Sequence, residues 1–185
     1  MSLTESTMLE LGTTAPDFAL TDAITGNLVS RDDFKGKDAL LVMFICAHCP
    51  YVKHIEASLG KFGADYASKP IGIVAISSND ASNYPADSPV GLKAQAKSHG
   101  FTFPYLYDET QAVAHAYSAA CTPDFFLFDR DFKLAYRGQF DSSRPGNGKP
   151  VTGEDMRAAI DLLLAGIPVP TDQRPSIGCN IKWKA

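Results

Sequence analysis

The chain has 185 residues, of which 45% are hydrophobic, and its formal net charge is −4. This length and composition suit one globular domain with a sizeable core, and the acidic balance excludes the basic surface typical of nucleic-acid binding. The apolar runs are too short to span a membrane and the first residues lack the features of a signal peptide, so we expect no nucleic-acid or membrane partner and a cytoplasmic location.

The first predicted elements are a tail, a hairpin and a buried strand. Residues 1–11 are predicted to be a tail, and residues 19–28 a β-hairpin whose turn contains Gly26 and Asn27, because these residue types favour tight turns. A polar connection then leads to residues 40–45, an unbroken apolar run that is typical of a strand buried on both faces.

Two cysteines follow this strand at once. Cys46 and Cys49 flank His48, and Pro50 opens a segment in which apolar residues recur at helical spacing through residue 66. The pair therefore lies at a strand-to-helix junction, where unpaired backbone N–H groups stabilise a thiolate. Because two intervening residues also allow a small disulfide ring, the spacing predicts a redox-active dithiol.

The next strand and loop are predicted to lie beside this junction. Residues 71–76 are rich in β-branched side chains and predict a second buried parallel strand, which forms a βαβ unit with residues 40–45. The polar loop at residues 77–89 follows that strand and lies at the same sheet edge as Cys46. We expect a solvated connection there, with direct substrate contact as the alternative.

Two further helices are predicted from their caps. Residues 89–99 predict a helix that is closed by Gly100 and has Asp87 or Ser88 as its candidate cap. Asp108 is predicted to cap a helix through residue 117, with Gln111 completing an approximate capping box.

The remaining elements predict a mixed sheet and an irregular end. Residues 125–128 and 132–137 predict an antiparallel strand pair, and residues 154–165 a helix. Residues 167–185 begin with a proline-rich stretch and predict an arm packed on the body or on a partner.

The pattern Cys-x-His-Cys after an apolar strand resembles the active-site corner of the thioredoxin superfamily. Residues 12–18 and 22–37 are similar to the amino-terminal hairpin of the redoxin branch, which includes peroxiredoxins and TlpA-like reductases. Thr122 and Pro123, ahead of an apolar strand, resemble the cis-proline segment of that fold. The resemblance covers most of residues 12–165.

This resemblance implies an α/β, thioredoxin-like fold, with a central mixed β-sheet flanked by helices and an amino-terminal β-hairpin extension. It places a redoxin domain at residues 12–166 and a carboxyl-terminal arm at residues 167–185. One departure is clear: thioredoxin has a buried aspartate where this chain has Leu40.

The resemblance also assigns roles. Cys46 is expected to be the nucleophile and Cys49 the resolving thiol. The pKa of Cys46 is expected to lie below that of Cys49, because Cys46 is at the exposed mouth of the helix, Cys49 is buried in its first turn, and the imidazolium of His48 stabilises the Cys46 thiolate. Three residues are expected to contribute to substrate binding: Thr122, Pro123 and Pro50. We further expect the Thr122–Pro123 bond to be cis.

Cys121 and Cys179 are possible accessory thiols. Cys121 is expected to face away from Cys46, because neighbours in an extended segment point to opposite sides. Cys179 lies on the carboxyl-terminal arm, much as the resolving cysteine of some peroxiredoxins lies on a tail, and packing in the core is the alternative.

Thiol–disulfide exchange is the predicted function, without a cofactor or a metal. The expected partners are a protein or small-molecule disulfide or thiol and a cellular thiol reductant, and a homodimer is left open. Three alternatives remain: an antioxidant thiol peroxidase, a copper or zinc carrier using Cys46, Cys49 and a histidine, and a non-catalytic redoxin scaffold. The peroxidase alternative lacks an arginine, because the corresponding position falls near Pro123.

Overall fold

The computed structural model describes residues 2–185, which form two β-sheets and five α-helices. The strands are β1 (Leu3–Glu5), β2 (Ala19–Asp22), β3 (Leu28–Ser30), β4 (Ala39–Phe44), β5 (Ile71–Ser77), β6 (Tyr105–Tyr107), β7 (Cys121–Thr122), β8 (Asp124–Asp129), β9 (Leu134–Tyr136) and β10 (Ile177–Asn180). The helices are α1 (Pro50–Lys53), α2 (Glu56–Tyr66), α3 (Pro89–His99), α4 (Ala112–Ala116) and α5 (Glu154–Leu164).

The central sheet has seven strands in the order β3-β2-β6-β5-β4-β8-β9. Strands β4, β5 and β6 are parallel neighbours, whereas β8 pairs antiparallel with β4 and β9, and β2 pairs antiparallel with β3 and β6. The predicted mixed sheet and the predicted hairpin are therefore confirmed.

Strand β4 is buried on both faces, as its unbroken apolar sequence predicts. Leu41 and Met43 pack on the side covered by α2, α3 and α5, whereas Leu40, Val42 and Phe44 pack on the side covered by α4. Burying one side chain of this size contributes about 1.5–3 kcal/mol. In residues 2–185, every helix is too short or too polar to cross a bilayer.

A second sheet joins the two terminal regions. It has the order β1-β10-β7, with both pairings antiparallel. The arm predicted at residues 167–185 thus packs on the body through β10, and part of the predicted tail pairs with it through β1. The division into tail, domain and arm stays a prediction.

Two helices differ from their predictions. The helix predicted from Pro50 through residue 66 is interrupted at Ile55, whose φ of −109° and ψ of −5° separate α1 from α2. Helix α4 starts later than predicted: Asp108 does accept from the backbone N–H groups of its first turn, but the amide of Gln111 donates to the carbonyl groups of Ser78 and Lys182. The predicted capping box is therefore wrong, because Gln111 bonds to other segments.

Candidate redox site

Cys46 and Cys49 lie in the short connection between β4 and α1. Cys46 comes two residues after β4, and Cys49 immediately precedes α1, in which Pro50 is the first residue. Both cysteines are 0% exposed. The side-chain amide of Gln95, on α3, donates to the Cys46 carbonyl at 3.1 Å and so ties this connection to the neighbouring helix.

Thr122 contacts both cysteines. Its hydroxyl lies 3.5 Å from the Sγ of Cys46, and its carbonyl accepts a hydrogen bond from the Cys49 thiol at 3.4 Å. The Thr122–Pro123 bond is cis, which confirms the prediction from the sequence. Three of the expected site residues therefore meet at one place, while Pro50 begins α1 beside them with its ring exposed.

Asp87 organises the polar side of the site. One carboxylate oxygen accepts from the backbone N–H groups of Ala47, at 2.7 Å, and His48, at 3.1 Å. The other accepts from the amide of Asn79, at 2.9 Å, and from the ring Nδ1 of His48. Because Asp87 is fully buried, these four donors are what compensate its charge.

The ring of His48 is fixed on two sides. It stacks on Tyr84 with 4.8 Å between the ring centroids, and its Nδ1–H donates to Asp87. Within residues 2–185 its Nε2 is buried and has no hydrogen-bond partner. This nitrogen is therefore a buried polar atom without a partner in that range, on a residue two positions after Cys46.

The sequence offered Asp87 or Ser88 as the cap of α3, and the structure confirms Ser88. The Oγ of Ser88 accepts from the N–H of Gly91 at 3.4 Å. The signal that could have identified Asp87 was the placement of its loop at the same sheet edge as Cys46. A solvated connection was expected there, whereas the loop supplies the buried carboxylate of the site.

The two thiols have opposite electrostatic environments. Burial, the hydrogen bond to Cys49 and the negative charge of Asp87 raise the pKa of Cys46 well above its ordinary value. Hydrogen bonds from the side chains of Cys46, Cys179 and Thr122 and from the Val52 backbone N–H lower the pKa of Cys49 to about 4, although burial opposes them. The N–H of Val52 belongs to the first turn of α1, where a negative charge is stabilised.

This order reverses the one expected from the sequence. Cys46 was expected to have the lower pKa, with His48 as the cause, but the charged neighbour that acts on Cys46 is Asp87 and its effect is to raise that pKa. The pKa of Asp87 itself would be raised by burial, but hydrogen bonds from His48 and Asn79 lower it. Asp87 is therefore ionised at neutral pH, and the negative thiol charge is favoured on Cys49.

The accessory cysteines lie on the two strands behind the dithiol. Cys121 is on β7, and Cys179 is on β10 and shares a hydrogen bond with the Cys49 thiol. Burial and the nearby negative charge of Asp124 raise the pKa of Cys121, whose thiol donates to the Pro123 carbonyl at 3.6 Å. Cys121 is therefore a buried thiol that stays protonated.

Three groups of the site could ligate a metal. Donor atoms of Cys46, His48 and Asp87 all lie within 4.8 Å of one another. A thiolate, an imidazole and a carboxylate suit a zinc ion. This set differs from the one considered in the sequence, because Asp87 takes the place of Cys49.

The Redoxin family model matches residues 10–155 of the chain. The match includes the hairpin, the dithiol, Asp87 and the Thr122–Pro123 segment. It covers well over half of the 185 residues.

Individual proteins agree with this match. The crystal structure of an uncharacterised conserved protein from Geobacillus kaustophilus has 59% identity and a TM-score of 0.97, covering 100% of this chain and 97% of that one. The thioredoxin domain of a thiol-disulfide oxidoreductase from Bacteroides vulgatus has 25% identity and a TM-score of 0.57, covering 70% of this chain and 91% of that one. The thiol-disulfide oxidoreductase ResA of Geobacillus kaustophilus is 28% identical over 134 residues, which are 69% of this chain and 68% of that protein. The fold is thioredoxin-like, as expected.

Proposed function

This chain belongs to the Redoxin family, and we propose that it is a thiol–disulfide oxidoreductase that works through the dithiol of Cys46 and Cys49. The observation that carries this proposal is the arrangement of both thiols against Thr122, at distances of 3.5 and 3.4 Å. The names of its relatives agree, since ResA and the Bacteroides vulgatus protein are both thiol-disulfide oxidoreductases.

Cys49 is the attacking thiol in this mechanism. Its thiolate attacks one sulfur of a substrate disulfide, forms a mixed disulfide and releases the other substrate sulfur as a thiolate. Cys46 then attacks the Sγ of Cys49, and the substrate leaves as its second thiolate. The products are a reduced substrate and a Cys46–Cys49 disulfide, which a cellular thiol reductant returns to the dithiol.

His48 has the proton-transfer role. Cys46 must lose a proton before it can attack, and its raised pKa makes that loss unfavourable without a base. The Nδ1–H of His48 is held by Asp87, so Nε2 is the nitrogen that can accept the proton. Asp87 is a positioning residue, because it fixes the tautomer and the ring of His48.

Thr122, Pro123 and Pro50 form the substrate side of the site in this proposal. Thr122 and Pro123 lie beside the sulfur atoms, and Pro50 gives an exposed surface next to Cys49. Because both thiols are fully buried, substrate entry requires a local movement of the connection that contains Ala47 and His48.

The experiment equilibrates the protein with glutathione redox buffers and measures the Cys46–Cys49 disulfide by mass spectrometry. A single two-electron transition supports the proposal, and its midpoint separates a reductant from an oxidant, which differ by roughly 100 mV in this fold. Cys46→Ser and Cys49→Ser should each abolish this transition, and Cys49→Ser should also abolish the reduction of insulin. Cys121→Ser is the matched control and should keep both, whereas a chain without any transition contradicts the proposal.

Peroxide reduction is the second candidate function. The observation that favours it is the low pKa of Cys49, which is followed directly by Pro50 at the start of α1. Hydrogen peroxide consumption with dithiothreitol as reductant tests it, with Cys49→Ser as the inactive control. An antioxidant role requires a positive result in this measurement.

The cytoplasmic location and the homodimer stay predictions from the sequence.

A further inference from the structure

Strand β10 lies against the strand that carries Thr122. Cys179 is directly opposite Thr122 in the antiparallel pairing of β10 with β7, and Asn180 is opposite Cys121. Directly opposed residues of an antiparallel pair point to the same face of the sheet. The side chain of Cys179 therefore shares the face of Thr122, whose hydroxyl contacts the Cys46 thiol, while Cys121 belongs to the other face.

The approach of β10 to this face depends on Gly178. A Cβ atom at that position would lie 2.0 Å from the carbonyl oxygen of Thr122, which is the oxygen that accepts from the Cys49 thiol. Only glycine allows this distance. The hydroxyl of Ser176 donates to the Pro123 carbonyl at 2.7 Å and holds the start of β10 in place.

Cys179 is in direct contact with the dithiol. Its thiol and that of Cys49 share a hydrogen bond, and Cys179 is buried in the same apolar cluster as both site cysteines. Burial, this hydrogen bond and the negative charge of Cys49 raise the pKa of Cys179 to about 12. The last two influences require the Cys49 thiolate, so they vanish when Cys49 is part of a disulfide.

On the basis of the function proposed above, we propose that Cys179 is a third redox thiol that competes with Cys46 for the bond to Cys49. The Cys179 thiolate attacks the Sγ of Cys49 in the Cys46–Cys49 disulfide. A Cys49–Cys179 bond forms, the Cys46–Cys49 bond breaks, and the electron pair leaves on Cys46. One proton passes from Cys179 to Cys46, so the numbers of disulfides and thiols are unchanged.

The exchange gives Cys49 two resolving partners. A substrate bound to Cys49 as a mixed disulfide can be released by Cys46 or by Cys179, each of which forms an internal disulfide as the substrate leaves. The choice between them decides whether Cys46, beside His48 and Asp87, ends the reaction as a free thiol.

The test removes Cys46 and follows the fate of a glutathione adduct. Cys46→Ser and Cys46→Ser/Cys179→Ser chains are treated with glutathione disulfide, quenched in acid, and mapped by proteolysis and mass spectrometry. We expect the adduct on Cys49 to disappear from Cys46→Ser as a Cys49–Cys179 disulfide forms. In the double variant it should persist at least about tenfold longer, because no second thiol is held beside it. Equal lifetimes overturn the proposal.

Two controls make the outcome specific. Cys46→Ser/Cys121→Ser removes a thiol that is equally buried but lies on the other face, and it should behave like Cys46→Ser. The unmodified chain gives a measurement that does not depend on the folding of variants: after partial oxidation it should contain both the Cys46–Cys49 and the Cys49–Cys179 peptides. Finding only the Cys46–Cys49 peptide overturns the third-thiol proposal. Finding only the Cys49–Cys179 peptide supports that proposal and contradicts the function proposed for Cys46.

Discussion

The carboxylate of Asp87 accepts a hydrogen bond from the ring Nδ1 of His48, across 39 positions of the chain. The same carboxylate raises the pKa of the Cys46 thiol through its charge. Asp87 thus acts on both the base and the thiol that the proposed mechanism uses in its second step.

Asp87→Asn should therefore lower the pKa of Cys46. The change removes a negative charge beside a buried thiol, so we expect the pH midpoint for alkylation of Cys46 to fall by about one unit. Iodoacetamide labelling at a series of pH values, followed by peptide mapping, measures it. Asp80→Asn is the control, because Asp80 lies in the same loop but bonds to Ser82 and Asn83. An unchanged midpoint would show that Asp87 does not act on Cys46.

Cys49 should be alkylated before Cys46. Hydrogen bonds from Cys46, Cys179 and Thr122 lower the pKa of Cys49, whereas burial and the charge of Asp87 raise the pKa of Cys46. At about pH 6 we expect labelling of Cys49 to be about tenfold faster or more. The Cys46→Ser variant should keep this reactive thiol and Cys49→Ser should lose it. Faster labelling of Cys46 would restore the order predicted from the sequence.

The stability of the protein should depend on Asp124. Burial raises the pKa of this carboxyl from 3.8 to about 6, against hydrogen bonds such as that from the Ala120 N–H. Between these pH values the folded chain keeps a proton that the unfolded chain has released, so the free energy of unfolding falls by about 3 kcal/mol as the pH rises through this window.

Asp124→Asn removes this dependence, because an amide does not titrate. Urea unfolding of both chains from about pH 4 to about pH 8 gives the difference in unfolding free energy at each pH. The unfolding free energy of the variant minus that of the unmodified chain should rise with pH up to about pH 6 and then stay constant. Parallel pH profiles would mean that Asp124 is ionised in the folded protein across the whole window.

Metal removal should leave the exchange activity intact. An ion bound by Cys46, His48 and Asp87 would occupy one thiol of the dithiol, so metal binding and thiol–disulfide exchange exclude each other at this site. We expect chelator-treated protein to reduce insulin at the unchanged rate. A protein that retains zinc through dialysis, and reduces insulin only after the zinc is stripped, would instead favour the metal-carrier alternative.

The local features of the site could be predicted from the sequence. The two-sided burial of β4 follows from its unbroken apolar run, and the junction after it follows from the cysteines and Pro50. The cis bond before Pro123 came from resemblance to the fold. Each of these features depends on neighbouring residues or on a short pattern.

The electrostatics of the site could not be predicted in this way. Leu40 stands where thioredoxin has a buried aspartate, and the sequence therefore suggested a site without a carboxylate. Asp87 brings one from a loop that follows the neighbouring strand β5, and only the parallel pairing of β4 with β5 brings that loop beside Cys46. The pKa order of the two cysteines depends on this tertiary contact, which residue spacing does not encode.

Strand β10 joins the buried thiols to a part of the fold that a solvent-exchange measurement can follow. It is paired with β1 on one side and with β7 on the other, and its Cys179 is hydrogen-bonded to the Cys49 thiol. Coupling free energies are reciprocal. If oxidation of the dithiol changes the free energy of docking of β10, the docking of β10 changes the free energy of oxidation by the same amount. We therefore expect the deuterium uptake of this small sheet to differ between the reduced and the oxidised protein.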